Sequence, residues 1–335
     1  MPSLSPKENY LRALRHEDTE YVPIMAFGPG GDASWVGVLN PIEKGQQAYG
    51  MKDGYGVPYS LSPAAAGGMI PTPGVFLLKD VTRWKKDVTF PSVKDIDWQK
   101  LKDTEYAMFG FDPDKIATGF LAGTGIWERL ASLMGFEEAM IAMMEEPEAC
   151  YDFFSAVTDI RIQEAEIAAT VYHTDSYVNF DDIATERQLF MSPETYRKLI
   201  KPHHKRLNDA IKNLGMIPVQ HTCGHAELCI EDYIETGAAA WNAVQASNDV
   251  AGLLDKYGSQ ICLEGCYDST GKPGRPDATV EEVVGEVERC FREYGKRKGF
   301  IFMGALVARE GEDETSKKNA AMMEAAHRCR NALAK

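Results

Sequence analysis

Two short apolar runs flank a helical stretch in residues 176–221. The sequence reads Ser176-Tyr-Val-Asn-Phe-Asp-Asp182, then a helix start at Ser192-Pro193-Glu194, then Met216-Ile-Pro-Val-Gln-His221. Both apolar runs have the length of a strand, and a Ser followed by a Pro is typical of a helix N-terminus. The order strand, helix, strand predicts a βαβ unit, in which the two strands lie parallel.

The same alternation continues on both sides of this unit. Further candidate strands lie at residues 21–27, 55–57, 114–123, 238–244, 260–264 and 299–303. Helical stretches separate them, one starting at Thr279 and a closing one running from Thr315 to Leu333. Eight strands with intervening helices predict an α/β fold, a single (β/α)₈ barrel. A doubly wound parallel sheet is the alternative.

The chain shows no internal repeat and no interdomain linker, so residues 1–335 are predicted to form one domain. Residues 1–20 should add an N-terminal helix that begins near Ser5 with Pro6 in its first turn. The stretch from about residue 60 to 103 is rich in Pro, Gly and Trp and does not fit a βα unit. It is predicted to be an insertion or lid.

The charge balance excludes several kinds of partner. There are 36 basic and 50 acidic residues, which gives a net charge of −14 and disfavours nucleic acid or a polyanionic substrate. Seven cysteines are an odd number in a long chain, so reduced thiols in the cytoplasm are expected. Since no apolar run approaches the ~20 residues of a membrane span and no signal peptide is evident, we expect no membrane association.

In a (β/α)₈ barrel the chemistry takes place where strands end and βα loops begin. One strand ends in His221-Thr222-Cys223-Gly224-His225. Side chains two apart on an extended chain point to the same side, and imidazole and thiolate are preferred zinc ligands. His221 and Cys223 are therefore predicted to bind a metal, whereas His225 is either a ligand or a polar loop residue.

A later strand ends in Glu264-Gly-Cys266-Tyr267-Asp268, which offers a second thiol and two carboxylates. With Cys266 as a third ligand, an open fourth position would make the site catalytic. The alternative for any of these thiols is a packing role. That role is assigned to Cys150, Cys229, Cys262, Cys290 and Cys329.

The run Tyr177-Val-Asn179-Phe180-Asp181-Asp182 closes another strand with paired carboxylates. Carboxylates at a barrel mouth can bind a metal, position a substrate hydroxyl or act as acid and base. The alternative is a helix-capping aspartate followed by a solvated loop.

Several stretches together resemble the uroporphyrinogen decarboxylase superfamily. These are residues 9–23 (N-Y-L-R-A-L-R-H-E-D-T-E-Y-V-P), Asp181-Asp182-Ile183, Ser192-Pro193-Glu194, Pro202, Lys205-Arg206 and the H-x-C-G strand end at His221. The superfamily is a (β/α)₈ barrel that includes the decarboxylase and a set of zinc- and corrinoid-dependent methyltransferases. The likeness runs through most of the chain in order.

The resemblance favours the methyltransferase branch. The arginines that bind porphyrinogen carboxylates in the decarboxylase are missing from residues 26–32, and so is a histidine expected after the last strand, at residues 302–306. His221-x-Cys223 resembles the first two zinc ligands of the methyltransferases. Their third cysteine is absent near Met303, so Cys266 is expected to replace it. Residues 241–249 resemble the members that demethylate methoxylated aromatics.

The resemblance implies a zinc-dependent methyltransferase that moves a methyl group from a small-molecule donor, a methoxylated aromatic, to the corrinoid of a separate corrinoid-binding protein. The corrinoid comes from a partner because no D-x-H-x-x-G sequence is present. His221, Cys223 and Cys266 would hold zinc and form the catalytic centre. Substrate would contact Asn179, Asp181 and Asp182, with aromatic walls from Tyr177, Phe180 and Tyr267.

Other functions stay open at this point. They are a cofactor-free decarboxylase of the uroporphyrinogen type, a methyl-corrinoid:thiol methyltransferase, and a barrel without catalysis that serves as a binding protein. The identity of the methyl donor, the direction of transfer and the third and fourth zinc ligands are also left open. So is the oligomeric state, with a homodimer among the alternatives.

Overall fold

The computed structural model describes residues 3–28, 30–43, 52–62, 68–306 and 313–333. Eight parallel strands close into a barrel in the order β1-β10-β9-β8-β7-β6-β5-β2. This confirms the predicted (β/α)₈ architecture. The barrel strands are β1 (Ile24–Met25), β2 (Ala33–Val36), β5 (Ala117–Ala122), β6 (Ser176–Phe180), β7 (Ile217–His221), β8 (Ala240–Val244), β9 (Cys262–Cys266) and β10 (Phe300–Met303).

The second barrel strand differs from the prediction. It is β2, directly after the glycine-rich residues 28–31, whereas residues 55–57 form a turn and loop outside the barrel. Parallel neighbouring strands are normally joined by a long crossover. Here the one register pair joins Met25, the last residue of β1, to Ala33, the first residue of β2. Because β2 starts beside the end of β1, a short loop suffices. The last helix holds that loop, since Arg330 Nη1 donates to Asp32 Oδ2 at 2.7 Å.

The segment between β2 and β5 contains the stretch predicted as an insertion or lid. It forms an antiparallel hairpin of β3 (Tyr59–Ser62) and β4 (Gly68–Pro71), followed by short helical turns and the helices α2 (Trp84–Asp87) and α3 (Trp98–Phe109). The backbone N–H groups of Leu77 and Leu78 both donate to Leu133 O, at 2.9 and 3.0 Å. The segment is thereby attached to the helix that follows β5. Its function as a lid remains a prediction.

Helices surround the barrel, and polar residues set where they start. Ser192 Oγ accepts a hydrogen bond from Thr195 N, and Thr279 forms a reciprocal capping box with Glu282, as predicted for these starts. Thr315 lies inside the last helix and does not cap it. The helices are α4 (Ile126–Met134), α5 (Phe136–Glu145), α6 (Pro147–Ile167), α7 (Pro193–Leu199), α8 (Lys201–Asn213), α9 (Ile230–Thr236), α10 (Val250–Tyr257), α11 (Val280–Tyr294) and α12 (Asp313–Leu333).

The N-terminal helix, α1 (Pro6–Leu14), closes the end of the barrel where the strands begin. Ser5 caps it and Pro6 occupies its first turn, as predicted. Tyr10, Leu11 and Leu14 pack with lumen residues, and the thiol of Cys262, the first residue of β9, donates to Ala13 O at 3.0 Å. This helix therefore plugs one end of the barrel, and the opposite end, where the strands end, is the mouth.

Two apolar clusters form the core. One fills the lumen with inward-facing strand residues and α1, and the larger one lies between the strands and the helices. In the ranges that the structure describes, no helix has both the length and the apolar character required to cross a bilayer. Successive side chains of a strand point alternately into the lumen and toward the helices, so they belong to different clusters. This alternation determines which side chains can reach the mouth.

Candidate metal centre

Three side chains of different chemistry meet at the mouth of the barrel. Asp182, His221 and Cys223 each offer one ligand atom, and these atoms all lie within 4.8 Å of one another. His221 Nε2 lies 3.4 Å from Cys223 Sγ and 3.9 Å from Asp182 Oδ1. The backbone N–H of Cys223 donates to Asp182 Oδ1 at 2.7 Å. A nitrogen, a sulfur and an oxygen donor therefore converge on one point.

The strand register brings these residues together. His221 is the last residue of β7 and pairs with Phe180 at the end of the neighbouring β6, so the segments that carry Cys223 and Asp182 leave the sheet side by side. The turn after Cys223 requires glycine. Gly224 has a φ of +88°, and a Cβ atom there would lie 2.4 Å from Thr185 O.

A chain of buried polar groups holds His221 from behind. His221 Nδ1 lies 2.6 Å from Asn242 Oδ1, the Asn242 amide NH₂ donates to Glu264 Oε1, and Tyr10 Oη donates to Glu264 Oε2 at 2.6 Å. His221, Asn242 and Glu264 share one register row on β7, β8 and β9. The chain thus runs from the helix that plugs the barrel to the metal centre.

This chain selects the tautomer of His221. An ionised Glu264 only accepts hydrogen bonds, so in that state the Asn242 NH₂ group must face Glu264 and its carbonyl oxygen must face His221. His221 Nδ1 is then the protonated nitrogen, and Nε2 carries the lone pair on the side of Cys223 and Asp182. Metal-binding histidines are commonly oriented in this way, by a hydrogen bond from the other ring nitrogen.

Glu264 is a buried carboxyl group with an unusual pKa. Burial in the lumen raises the pKa to about 7, and the hydrogen bonds from Tyr10 and Asn242 oppose that shift. The same burial raises the pKa of Tyr10 well above its ordinary value, with a further contribution from the charge of Glu264. Because this pKa lies near neutral pH, the hydrogen bonds from Tyr10 and Asn242 influence how much of Glu264 is ionised there.

Aromatic rings fix the plane of the His221 imidazole. Phe180 stacks on it with a centroid distance of 3.6 Å and an interplanar angle of 8°. Trp35 meets both rings edge-on, at 5.4 Å from Phe180 and 5.9 Å from His221. Phe180 thus contacts the predicted site, although through the candidate metal ligand His221.

The donor set fits a zinc ion. Imidazole, thiolate and carboxylate are its usual protein ligands, and three of them with one open position is the arrangement of catalytic zinc sites. The protonated Nδ1 and the Nε2 lone pair of His221 meet the requirement for a neutral imidazole ligand. The residues present could therefore hold zinc through His221 Nε2, Cys223 Sγ and Asp182 Oδ1.

Cys266 does not agree with its predicted role as the third ligand. Gly265 and Cys266 have φ values of +134° and +71°, which turn the chain at the end of β9. The Cys266 thiol is fully buried, its Sγ lies 3.9 Å from Leu263 O, and it packs in the outer apolar cluster. Cys266 belongs to the packing alternative, and Asp182 takes the third place in the cluster.

Tyr177, Asn179 and Asp181 do not reach the mouth as expected for substrate contacts. Their side chains are on the face of β6, and of the residues directly after it, that points outward to the surrounding helices. Tyr177 Oη donates to Arg161 O at 3.3 Å, and Asn179 Nδ2 donates to the Gln220 side chain at 3.3 Å. Asp181 accepts hydrogen bonds from the N-terminal turn of α4.

Two further candidates also lie outside the cluster. Tyr267 is 4% exposed, and its Oη donates to Pro273 O at 3.3 Å, so it packs beneath a loop and forms no substrate wall. His225 Nδ1 lies 2.8 Å from Ser247 O, and His225 is not one of the three residues of the cluster. Among the cysteines assigned to packing, Cys150, Cys229, Cys262 and Cys290 are buried and Cys329 is partly buried.

A cleft of about 560 Å³ opens beside the metal centre. Asp182 lines it, so the cleft and the ligand cluster share a residue. One wall is the segment that follows β4, and the other is formed by α4 and the start of α5. The described lining residues are Ile70, Pro71, Thr72, Pro73, Gly74, Val75, Phe76, Trp127, Glu128, Ala131, Ser132, Gly135, Phe136, Asp182 and Phe190.

Several residues that shape this site were not predicted from the sequence. Asn242 and Tyr10 had no assigned function, and Glu264 was only one of two carboxylates near a strand end. A usable signal was the parity of β8 and β9, because polar residues at inward-facing positions need partners inside the barrel. The cleft walls around Phe76 and Phe136 had no local signal.

Comparisons with known proteins agree with this fold. The sequence model of the family described as uroporphyrinogen decarboxylase (URO-D) matches residues 102–328. A curated uroporphyrinogen decarboxylase from Carboxydothermus hydrogenoformans is 28% identical over 170 residues, which cover 48% of this chain and 43% of the relative. The match thus spans less than half of that relative's length.

A solved structure is similar over nearly the whole chain. A methyltransferase from Methanosarcina mazei superposes with a TM-score of 0.68 at 14% identity, covering 99% of this chain and 100% of the other. At this identity the likeness concerns the fold. The family match over residues 102–328 covers more than half of the chain and therefore assigns its family. The chain belongs to the uroporphyrinogen decarboxylase family.

Proposed function

We propose that this protein is a zinc-dependent methyltransferase that moves a methyl group from a methoxylated aromatic to the corrinoid of a separate protein. The convergence of Asp182, His221 and Cys223 at the barrel mouth is the observation that carries this proposal. A nitrogen, sulfur and oxygen donor set with a preset histidine tautomer is expected of a metal enzyme. The solved methyltransferase with the same fold adds support at the level of architecture.

The residues of the chain would contribute mainly orientation. Zinc bound by the three side chains would supply a Lewis acid that stabilises charge on the leaving oxygen. Phe180 and Asn242 hold His221 so that the donor set does not have to reorganise. The cleft next to Asp182 has the volume to bind the aromatic body of a methyl donor.

The transfer itself is a substitution at the methyl carbon. The bond between the ether oxygen and the methyl carbon would break, the methyl group would be transferred to the reduced corrinoid of the partner protein, and the phenolate that leaves would take a proton from solvent. Binding that aligns the three reacting centres supplies much of the rate enhancement in such reactions. The corrinoid protein would approach at the mouth, because α1 plugs the opposite end.

A decarboxylase acting on a porphyrinogen is less compatible with this site. The described residues that line the cleft include two carboxylates, Asp182 and Glu128, and no Lys or Arg. Asp32, on the loop after β1, is already bound to Arg330. A substrate with many carboxylates needs basic side chains around it, and the described lining of the cleft does not offer them.

Metal analysis tests the proposed ligands. The purified protein should contain about one zinc per chain, and Cys223→Ser and Asp182→Ala should lower the content several-fold, as expected for loss of one of three ligands. Cys266→Ser is the matched control, since it changes a thiol that lies outside the cluster. If Cys266→Ser loses zinc and Asp182→Ala does not, the proposed ligand set is wrong.

An activity assay tests the reaction. The zinc-loaded protein is incubated with a reduced corrinoid protein and methoxyarenes, and methyl-cobalt absorbance is recorded. Signal with methoxyarenes that disappears in Cys223→Ser supports the proposal. Signal only with methylamines, methanol or a thiol acceptor would change the substrate, and decarboxylation of uroporphyrinogen III would establish the decarboxylase alternative instead.

A further inference from the structure

Tyr10 lies at the far end of the buried polar chain that reaches His221. Its hydroxyl donates to Glu264 Oε2 at 2.6 Å, and the Asn242 amide lies between Glu264 and His221. All four side chains belong to residues that are 5% exposed or less. Since bulk water does not reach these groups, each depends on the others for its hydrogen bonds.

The helix that carries Tyr10 is fixed to the barrel at two separate strands. Lys7 Nζ lies 2.9 Å from Oδ1 of Asp175, the residue before β6. The Cys262 thiol, at the start of β9, donates to Ala13 O at 3.0 Å. These contacts fix the position of α1, and with it the point in the lumen that the Tyr10 hydroxyl reaches.

Glu264 depends on two hydrogen-bond donors for the stability of its charged form. In the ranges that the structure describes, these donors are Tyr10 and Asn242, and no Lys or Arg forms a salt bridge with Glu264. The two hydrogen bonds lower the pKa of Glu264 against the effect of burial. Because a buried carboxylate without a counter-ion is costly, the loss of one donor favours its protonated form.

The orientation of the Asn242 amide follows from the state of Glu264. With Glu264 ionised, both N–H groups of the amide have acceptors, Glu264 Oε1 and the Met303 sulfur at 3.2 Å, and the carbonyl oxygen faces His221 Nδ1. A protonated Glu264 can instead donate to that carbonyl oxygen. The amide would then turn its NH₂ group toward His221 Nδ1, which favours the tautomer with the proton on Nε2.

We propose that Tyr10 is a positioning residue for His221. Through Glu264 and Asn242 it keeps the Nε2 lone pair of His221 directed at the other two ligand candidates of the cluster. The inference rests on the proposed function, because it treats His221 as a metal ligand. Tyr10 is not among the described residues that line the cleft, so its effect has to be transmitted by the chain of hydrogen bonds.

The variant Tyr10→Phe removes the hydroxyl and keeps the ring that packs in the lumen. In the metal-free full chain near neutral pH, the nitrogen-15 shifts of His221 should report the Nδ1–H tautomer for the wild type and a clear share of Nε2–H for the variant. Zinc affinity, measured by competition with a chelator, should fall about tenfold. If either the shifts or the zinc affinity stay as in the wild type, the inference is wrong.

Two further variants distinguish this role from a general loss of stability. Tyr196→Phe removes another buried hydroxyl, which contacts His204, and should leave the shifts of His221 and the zinc affinity unchanged. In a Glu264→Gln background, Tyr10→Phe should change zinc affinity by less than about twofold, because the carboxylate on which the hydroxyl acts is absent. An effect of Tyr196→Phe equal to that of Tyr10→Phe, or a full loss in the Glu264→Gln background, would overturn the inference.

These measurements separate the inference from the proposed function. If the wild type binds zinc and Tyr10→Phe leaves the tautomer unchanged, the metal centre stands and the role of Tyr10 is refuted. A wild-type protein that binds no zinc would refute the proposed function, and the shifts of the metal-free protein would still decide whether Tyr10 positions His221.

Discussion

Asp181 and Asp182 are neighbours in sequence, each lies near a histidine, and their environments differ. Asp181 is fully buried and accepts hydrogen bonds from Trp127 N and Glu128 N, with His204 Nε2 at 2.8 Å. The Asp182 side chain is 34% exposed and lies 3.9 Å from His221 Nε2. One carboxylate is enclosed by partners under the helices, and the other reaches the mouth.

The two histidines carry their protons on different nitrogens. Because a carboxylate only accepts, His204 must donate to Asp181 from Nε2, and its Nδ1 lies 3.1 Å from Tyr196 Oη. His221 is protonated on Nδ1, toward Asn242, and its Nε2 lone pair faces Cys223 and Asp182. One Asp–His pair therefore forms a structural contact on one side of the strand, and another Asp–His pair forms the candidate ligand site on the other side.

The largest expected difference is in stability. Asp181→Ala removes the cap of α4 and leaves His204 without its acceptor inside the protein, so the free energy of unfolding should fall by about 3–5 kcal/mol. In the metal-free protein, Asp182→Ala should change it by about 1 kcal/mol or less, because that side chain is partly solvated. Urea denaturation of both variants measures this. Equal losses would remove the distinction between the two aspartates.

The second prediction concerns pH and belongs only to the His221 side. The pKa of Glu264 is raised from its ordinary value of 4.5 to about 7 by burial. The folded protein therefore holds this proton more tightly than the unfolded chain does. The stability that results is fully present below pH 4.5 and is lost as the pH rises through about 7.

The variant Glu264→Gln isolates this contribution. Between pH 4.5 and 7 the free energy of unfolding of the wild type should fall relative to that of the variant, by about 3 kcal/mol at about 1.4 kcal/mol per pKa unit. Urea denaturation at several pH values gives the two curves. Glu148→Gln is the exposed control, and parallel curves for wild type and Glu264→Gln would show that Glu264 has an ordinary pKa.

The third prediction compares the groups behind the two histidines. Asn242→Ala removes the acceptor for His221 Nδ1, and zinc affinity should fall about 10–100-fold, as for other partners of metal-binding histidines. Tyr196→Phe removes the partner of His204 Nδ1 and should leave zinc affinity unchanged. Competition with a chelator measures both. The nitrogen-15 shifts of His221 in the metal-free Asn242→Ala variant should show a change of tautomer.

The smallest expected effect tests whether the side chain of Tyr177 on β6 faces outward, away from the mouth. Tyr177→Phe loses one hydrogen bond to Arg161 O, which should lower the free energy of unfolding by about 1 kcal/mol. Affinities for zinc and for 2-methoxyphenol should stay as in the wild type. A clear loss of ligand affinity in a variant with this stability would show that Tyr177 contacts the substrate after all.

Local patterns were sufficient for most of the architecture. The period of two in short apolar runs, the caps at Ser192 and Thr279, and the alternation of strands with helices predicted the barrel. The exception was β2, where a glycine-rich loop replaces the usual crossover helix. His221 and Cys223 were also predictable, because both lie at the end of one strand and side chains two positions apart point to the same side.

The sequence by itself thus determined the barrel, the presence of the N-terminal helix α1, and two of the three metal-ligand candidates. The tertiary structure decided the rest, because beyond a strand end the side-chain parity no longer holds and backbone torsions select the direction. Positive φ values at Gly265 and Cys266 accompany a buried thiol, whereas Asp182 reaches the cluster. Tyr10 and Glu264 meet across 254 positions of the chain, a contact that only the closed barrel creates.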